Sequence, residues 1–82
     1  MDEVEATVLN ALKNKVGPGA ELKDELASLS VDSLAMAELA LEIEQRLKIR
    51  LDEGVLEQRT VNDLVHYTKT LVEKQKSAAG SK

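Results

Sequence analysis

The sequence predicts an all-α fold, a small four-helix bundle with a long loop between helices 1 and 2 and a short third helix. Three observations lead there. Apolar residues recur at spacings of three and four in separate stretches. The stretch from Ser33 to about Lys48 contains neither Gly nor Pro and is rich in Ala, Leu and Glu, all strong helix formers. A chain of 82 residues has room for one modest core and no deep catalytic cleft.

The first helix runs from Asp2 to about Val16, where Val4, Val8, Leu9, Leu12 and Val16 keep helical spacing. Asp2, Glu3 and Glu5 lie near the positive end of its dipole. Gly17-Pro18-Gly19 ends it, because glycine suits the left-handed turn after a helix and proline does not continue one. The connection from Gly17 to Asp32 is long. Leu22, Leu26 and Leu29 form one short stripe that pins it to the core, and a loop of this length in a small domain points to function. Ser33 to about Lys48 is the second helix. Leu51 to Gln58, with Gly54 inside it and Val55-Leu56 as its central apolar pair, predicts an extended turn passing into a short third helix. Thr60 reads as an N-cap with Asp63 three residues on, a variant of the capping box. Val61, Leu64, Val65, Thr68, Leu71 and Val72 then give the last helix its core stripe. The folded domain is assigned to residues 1–75. Residues 76–82 carry no apolar period and are assigned to a disordered C-terminal tail.

Tyr67 is the sole aromatic residue, so the core is built from Leu, Val, Ile, Ala and Met. At this size such a core supports about 3–5 kcal/mol of net stability. The absence of cysteine excludes disulfides, thiolate catalysis and zinc sites with Cys ligands, so any thiol chemistry comes from an added group. A net charge of −4 without a basic cluster argues against nucleic acid and anionic membranes as partners and favours basic protein surfaces. No apolar run is long enough to span a bilayer, and the start Met-Asp-Glu-Val-Glu is acidic where a secretory signal is basic. The chain therefore reads as cytoplasmic, complete from its first residue and monomeric. His66, the single histidine, falls on the last helix as a surface residue, and no triad, metal cluster or glycine-rich phosphate loop stands out. The chain reads as a carrier or binding module, not an enzyme.

The second helix carries two apolar faces. With residues about 100° apart around the axis, Met36, Leu39, Ala40, Ile43 and Leu47 share the face a bundle core needs. Leu34, Ala37 and Leu41 fall on a nearly opposite face, framed by Glu38, Glu44 and Gln45. Either another helix covers that strip or it docks a partner, and exposure of Leu34 and Leu41 separates the two. Glu38 and Glu44 are the acidic docking candidates, suited to Arg or Lys on a partner, with a plainly solvated face as the other reading of Glu44. Glu42 lies four residues before Arg46 and supports the helix.

Asp32-Ser33-Leu34 stands where the long loop enters this helix. Leu29-Ser30-Val31 precedes it, and Glu38-Leu39, the helix to Leu47, a loop closing at Leu51-Asp52-Glu53, a short third helix and a capped helix from Thr60 follow. From about Val4 to Val72 this pattern resembles the acyl carrier protein family. The tripeptide alone is a weak signal, and its place within four-helix spacing makes it a strong one. The resemblance implies a bundle of acyl-carrier type with 4′-phosphopantetheine as a covalent cofactor on Ser33. In that family a separate phosphopantetheinyl transferase and a magnesium ion let the serine hydroxyl attack the pyrophosphate of coenzyme A. Asp32, by the same resemblance, helps the transferase orient the serine. The arm then carries acyl groups as thioesters among enzymes of ketosynthase, acyltransferase or ligase type. An aliphatic cargo is expected to fold back near Met36, Leu39, Ile43, Leu47 and Val61. Helix-start physics suits a phosphate at Ser33, since first-turn N–H groups are unpaired and the dipole end is positive. Taken singly, Ser33 and Asp32 also fit ordinary cap positions.

Members of the family that serve bacterial fatty acid synthesis usually have glycine two residues before the aspartate, an acid just after the motif, and an acidic end to the second helix. Here those places hold Ser30, Ala35 and the basic Arg46, Lys48 and Arg50, with Leu47 where an aromatic is common. These departures favour polyketide or other specialised biosynthesis over fatty acid synthesis. A peptidyl or aminoacyl carrier shares the same fold and serine. An unmodified helical adaptor, with Ser33 as a cap and the Leu34, Ala37 and Leu41 strip binding one partner helix, is the remaining alternative.

Overall fold

The computed structural model describes the backbone of residues 2–80 and the side chains of residues 2–75. Its α-helices are α1 (Glu3–Val16), α2 (Ser33–Leu47) and α3 (Val61–Gly80), with 3₁₀ segments at Ala27–Leu29 and Glu53–Glu57. The described residues form no strand beyond one isolated antiparallel bridge between Glu25 and Thr60. None of these helices is long and apolar enough to cross a membrane.

Each helix begins with a carboxylate or hydroxyl that satisfies an orphan N–H. Asp2 accepts from Glu5 N at 2.8 Å, and Asp32 accepts from Ala35 N at 2.8 Å. Thr60 and Asp63 form a reciprocal capping box: Asp63 N donates to Thr60 Oγ1 at 3.0 Å, and Thr60 N to Asp63 Oδ2 at 3.3 Å. Gly17 ends α1 with φ 113° while its N–H bonds Lys13 O. Lys48 ends α2 in the left-handed region, φ 57°, its N–H on Glu44 O.

The anticipated core face of α2 is buried at every position, with Leu39 and Ile43 wholly enclosed. Val8, Ala11 and Leu12 of α1 and Val61, Leu64, Val65 and Val72 of α3 meet it. Thr68, a buried polar residue on α3, bonds Leu64 O at 2.8 Å and leaves no hydroxyl unpaired.

Two expectations change. The predicted third helix is a five-residue 3₁₀ segment, Glu53–Glu57. Gly54 and a lone apolar pair give it too little helix propensity and too narrow a stripe to propagate, and Val55 alone is buried. It is held from outside. Asp52 accepts from Gly54 N at 2.9 Å, Tyr67 Oη accepts from Asp52 N at 3.1 Å, and the phenol donates to the Asp52 carboxylate. The second change is at the C-terminus, where α3 continues to Gly80, past the residue 75 at which a disordered tail was anticipated. Nothing from Lys74 to Ala79 breaks a helix, and Ala78-Ala79 favour one. Gln75 also anchors this end, exchanging side-chain bonds with Arg50 N at 2.9 Å and Arg50 O at 2.6 Å. Ser81 and Lys82 lie outside the described residues.

The long loop is pinned to the entrance of α3. Leu26 N donates to Arg59 O, Val61 N to Asp24 O and Asn62 N to Leu22 O, at 2.8, 2.9 and 2.9 Å. Of the anticipated leucine stripe only Leu26 is fully buried, with Leu22 and Leu29 packed half-buried against the core.

Candidate functional site

Ser33 is the first residue of α2 and is exposed. The turn that delivers it begins at Ser30, whose φ of 63° is left-handed. Ser30 N bonds Ala27 O and Val31 N bonds Leu26 O, both at 3.1 Å, so the chain reverses out of the 3₁₀ segment and enters α2 through the extended Asp32. Among the described residues, the N–H groups of Ser33 and Leu34 have no hydrogen-bond partner. The Ser33 hydroxyl therefore stands in solvent at the positive end of a four-turn helix, with Asp32 Oδ1 engaged on Ala35 N. These features fit a covalently held phosphodiester, and they provide no base to activate the hydroxyl. His66 is an exposed residue of α3 and lines none of the cavity beside Ser33.

That cavity has a volume of ≈ 520 Å³ and brings Ser33, Asp32 and Met36 together with Leu56, Gln58 and Arg59. Of the residues proposed for a cargo pocket, Met36 alone lines it, whereas Leu39, Ile43 and Val61 are wholly buried in packed core. Leu56, Gln58 and Arg59 reach Ser33 because the loop pairs with residues 59–62, a long-range register that no local spacing in the sequence announces.

The second strip of α2 is open. Leu34 is 69% and Leu41 57% exposed, and Ala37 is also exposed. Ala37 and Leu41 line a shallow apolar groove of ≈ 530 Å³ with Leu51 and Leu56 across from them. The two acids that frame the strip have partners within the chain. Glu38 Oε1 receives Lys15 Nζ at 2.7 Å, joining α2 to the end of α1. Glu44 is half-buried and its Oε2 accepts from Leu51 N at 2.7 Å, which holds the loop after α2. Glu42 pairs with Arg46 at 2.8 Å, the i, i+4 bridge anticipated from spacing.

Tyr67 closes the far side of the same loop. Burial, with the Asp52 carboxylate beside it, pushes its phenol up to about 12, so it remains a neutral donor. The Tyr67 hydroxyl and Gly54 N in turn hold the Asp52 carboxyl below its ordinary value.

Compared with known families, residues 6–68 match the family described as phosphopantetheine attachment site. No curated protein and no solved structure gave a significant match. A match over most of the chain, around an exposed serine at a helix start, is decisive for membership: the chain belongs to the phosphopantetheine attachment family, the carrier domains on which 4′-phosphopantetheine is held covalently.

Proposed function

We propose that Ser33 is the attachment residue and that the chain is a non-catalytic carrier, moving acyl intermediates as thioesters between the enzymes of a polyketide or other specialised pathway. Carrier domains of this family work with a phosphopantetheinyl transferase and with biosynthetic enzymes. The observation that carries the assignment is the exposure of Ser33 at the start of α2, with two unpaired first-turn N–H groups beside it. When bound, the cofactor supplies the thiol that this cysteine-free chain lacks. Ser33 offers the nucleophilic oxygen, Asp32 fixes the helix start that presents it, and the transferase provides the base.

Leu34, Ala37 and Leu41 are the docking strip in this reading, an apolar patch on which a partner enzyme seats beside the arm. Glu38 and Glu44 contribute there by shaping α2 and its following loop, since their carboxylates are already engaged. The basic residues Arg46, Lys48 and Arg50 at the end of α2 support a partner outside bacterial fatty acid synthesis. The 3₁₀ segment takes the place of the third helix in an acyl-carrier bundle.

The test is intact mass after incubation with coenzyme A, magnesium and a broad-specificity phosphopantetheinyl transferase. The wild type gains one phosphopantetheine, roughly 340 Da, and Ser33→Ala gains nothing. A folded wild type that gains no mass with several transferases overturns the attachment.

A further inference from the structure

The cavity beside Ser33 differs in character from the core beneath it. Its lining joins apolar Leu26, Val31, Met36 and Leu56 to Gln58, to Arg59 as its one cation, and to the carboxylates of Glu25, Asp32 and Glu57. Arg59 is exposed and makes no ion pair among the described residues. Gln58 donates its Nε2 to Gly54 O at 2.8 Å, which leaves Oε1 as an acceptor toward the cavity region. The Arg59 guanidinium is not needed to hold its segment in register, since the loop is tied through the Arg59 carbonyl.

We infer that this cavity is a seat for the pantetheine arm. Arg59 is the counter-charge to the phosphodiester, Gln58 accepts from an arm amide, and Leu56 and Met36 pack against the dimethyl carbon. The inference rests on Ser33 being the attachment residue. Three arguments carry it. The arm is tethered at the rim, so its effective concentration in the cavity is of the millimolar order and weak contacts suffice. The volume of ≈ 520 Å³ lies within the span of about 300–1,000 Å³ usual for small-molecule sites. The chemistry also matches along the arm's length: an anion at the serine, then two methyls, then uncharged amides, against one cation, apolar side chains and an amide acceptor. Glu25 and Glu57 on the same lining disfavour a second anion, which suits the uncharged amide portion.

The experiment compares apo and holo protein by proton–nitrogen correlation and proton–proton Overhauser spectra, after intact mass has verified incorporation. The inference expects the Gln58 and Arg59 amides to shift along with the neighbours of Ser33. It also expects Overhauser contacts from the arm methyls to Leu56 and Met36. Arg59→Gln and Leu56→Ser weaken those contacts by at least about two-fold, the change when an arm seated most of the time becomes seated less than half of it. Arg59→Lys, which keeps the charge, retains them better than Arg59→Gln. Holo spectra that differ from apo only around residues 32–35, without contacts to Leu56, overturn the seat, as do arm contacts to Leu39 and Ile43 instead. A chain that gains no mass fails at the earlier step and removes the attachment reading with it, so the two failures are read separately.

Discussion

Ser30 and Lys48 both adopt left-handed backbone, φ 63° and 57°, without being glycine. That region costs an ordinary L residue about 1–2 kcal/mol. Ser30→Gly is expected to stabilise the chain by about 0.5–1 kcal/mol once the greater unfolded-state freedom of glycine is subtracted. Urea titration measures this, and a lowered midpoint would mean that the serine is favoured by contacts that outweigh the backbone. The position is the one where relatives in bacterial fatty acid synthesis commonly have glycine, and the structure supplies the reason: the turn into Ser33 demands positive φ. Gly54 shows the opposite requirement. A Cβ there would lie 2.9 Å from Asp52 Oδ1 and 3.1 Å from the Tyr67 ring, so Gly54→Ala is expected to destabilise by about 1–3 kcal/mol, read the same way. The sequence showed Gly54 only as a weakness in a helix. Its necessity lies in a contact with a residue thirteen positions away, which periodicity does not report.

At the scale of elements, what could be read from sequence follows a physical line. Helices whose pattern is local were legible: the core stripe of α2, the Thr60–Asp63 box and the Gly17 stop all recur in the structure. The short helix expected within Leu51–Gln58 was placed by the sequence but its 3₁₀ form was not, because that form depends on Tyr67 and Asp52, both outside it. Tyr67→Phe removes the phenol's bonds to Asp52 while keeping the ring. It is expected to speed hydrogen exchange at Gly54 and Val55, with α1 and α2 unaffected. Unchanged protection there would show that Val55 burial alone holds the segment. The candidate site divides along the same line. The Leu34, Ala37 and Leu41 strip lies on one helix and could be found by spacing, while Ser33 and Asp32 were marked by the resemblance their motif carries. Gln58 and Arg59 are joined to Ser33 only by tertiary pairing.

Across the whole molecule, long-range charge contacts tie the N-terminus to α3. Lys69 Nζ sits 2.6 Å from Asp2 Oδ2, and that bond, with the Glu5 N–H, holds the Asp2 carboxyl below its ordinary value of 3.8. Asp52 is depressed likewise. An acid with a lowered folded pKa contributes stability that is fully present above the unfolded value and is lost as pH falls through the folded one. Stability is therefore expected to be flat around neutrality and to decline below about pH 4, with a shallower decline in an Asp2→Asn, Asp52→Asn double variant. Thermal melts across acid pH check this, and identical slopes for variant and wild type would place the acid sensitivity elsewhere.

The three backbone bonds that join residues 22–26 to 59–62 carry a further meaning for the life of the chain. The loop that approaches Ser33 is tied down by residues 59–62, which are made after it, so a growing or unfolded chain presents the tripeptide without that anchor. On the attachment proposed for Ser33, a transferase that reads the finished junction would arm folded molecules ahead of partial ones.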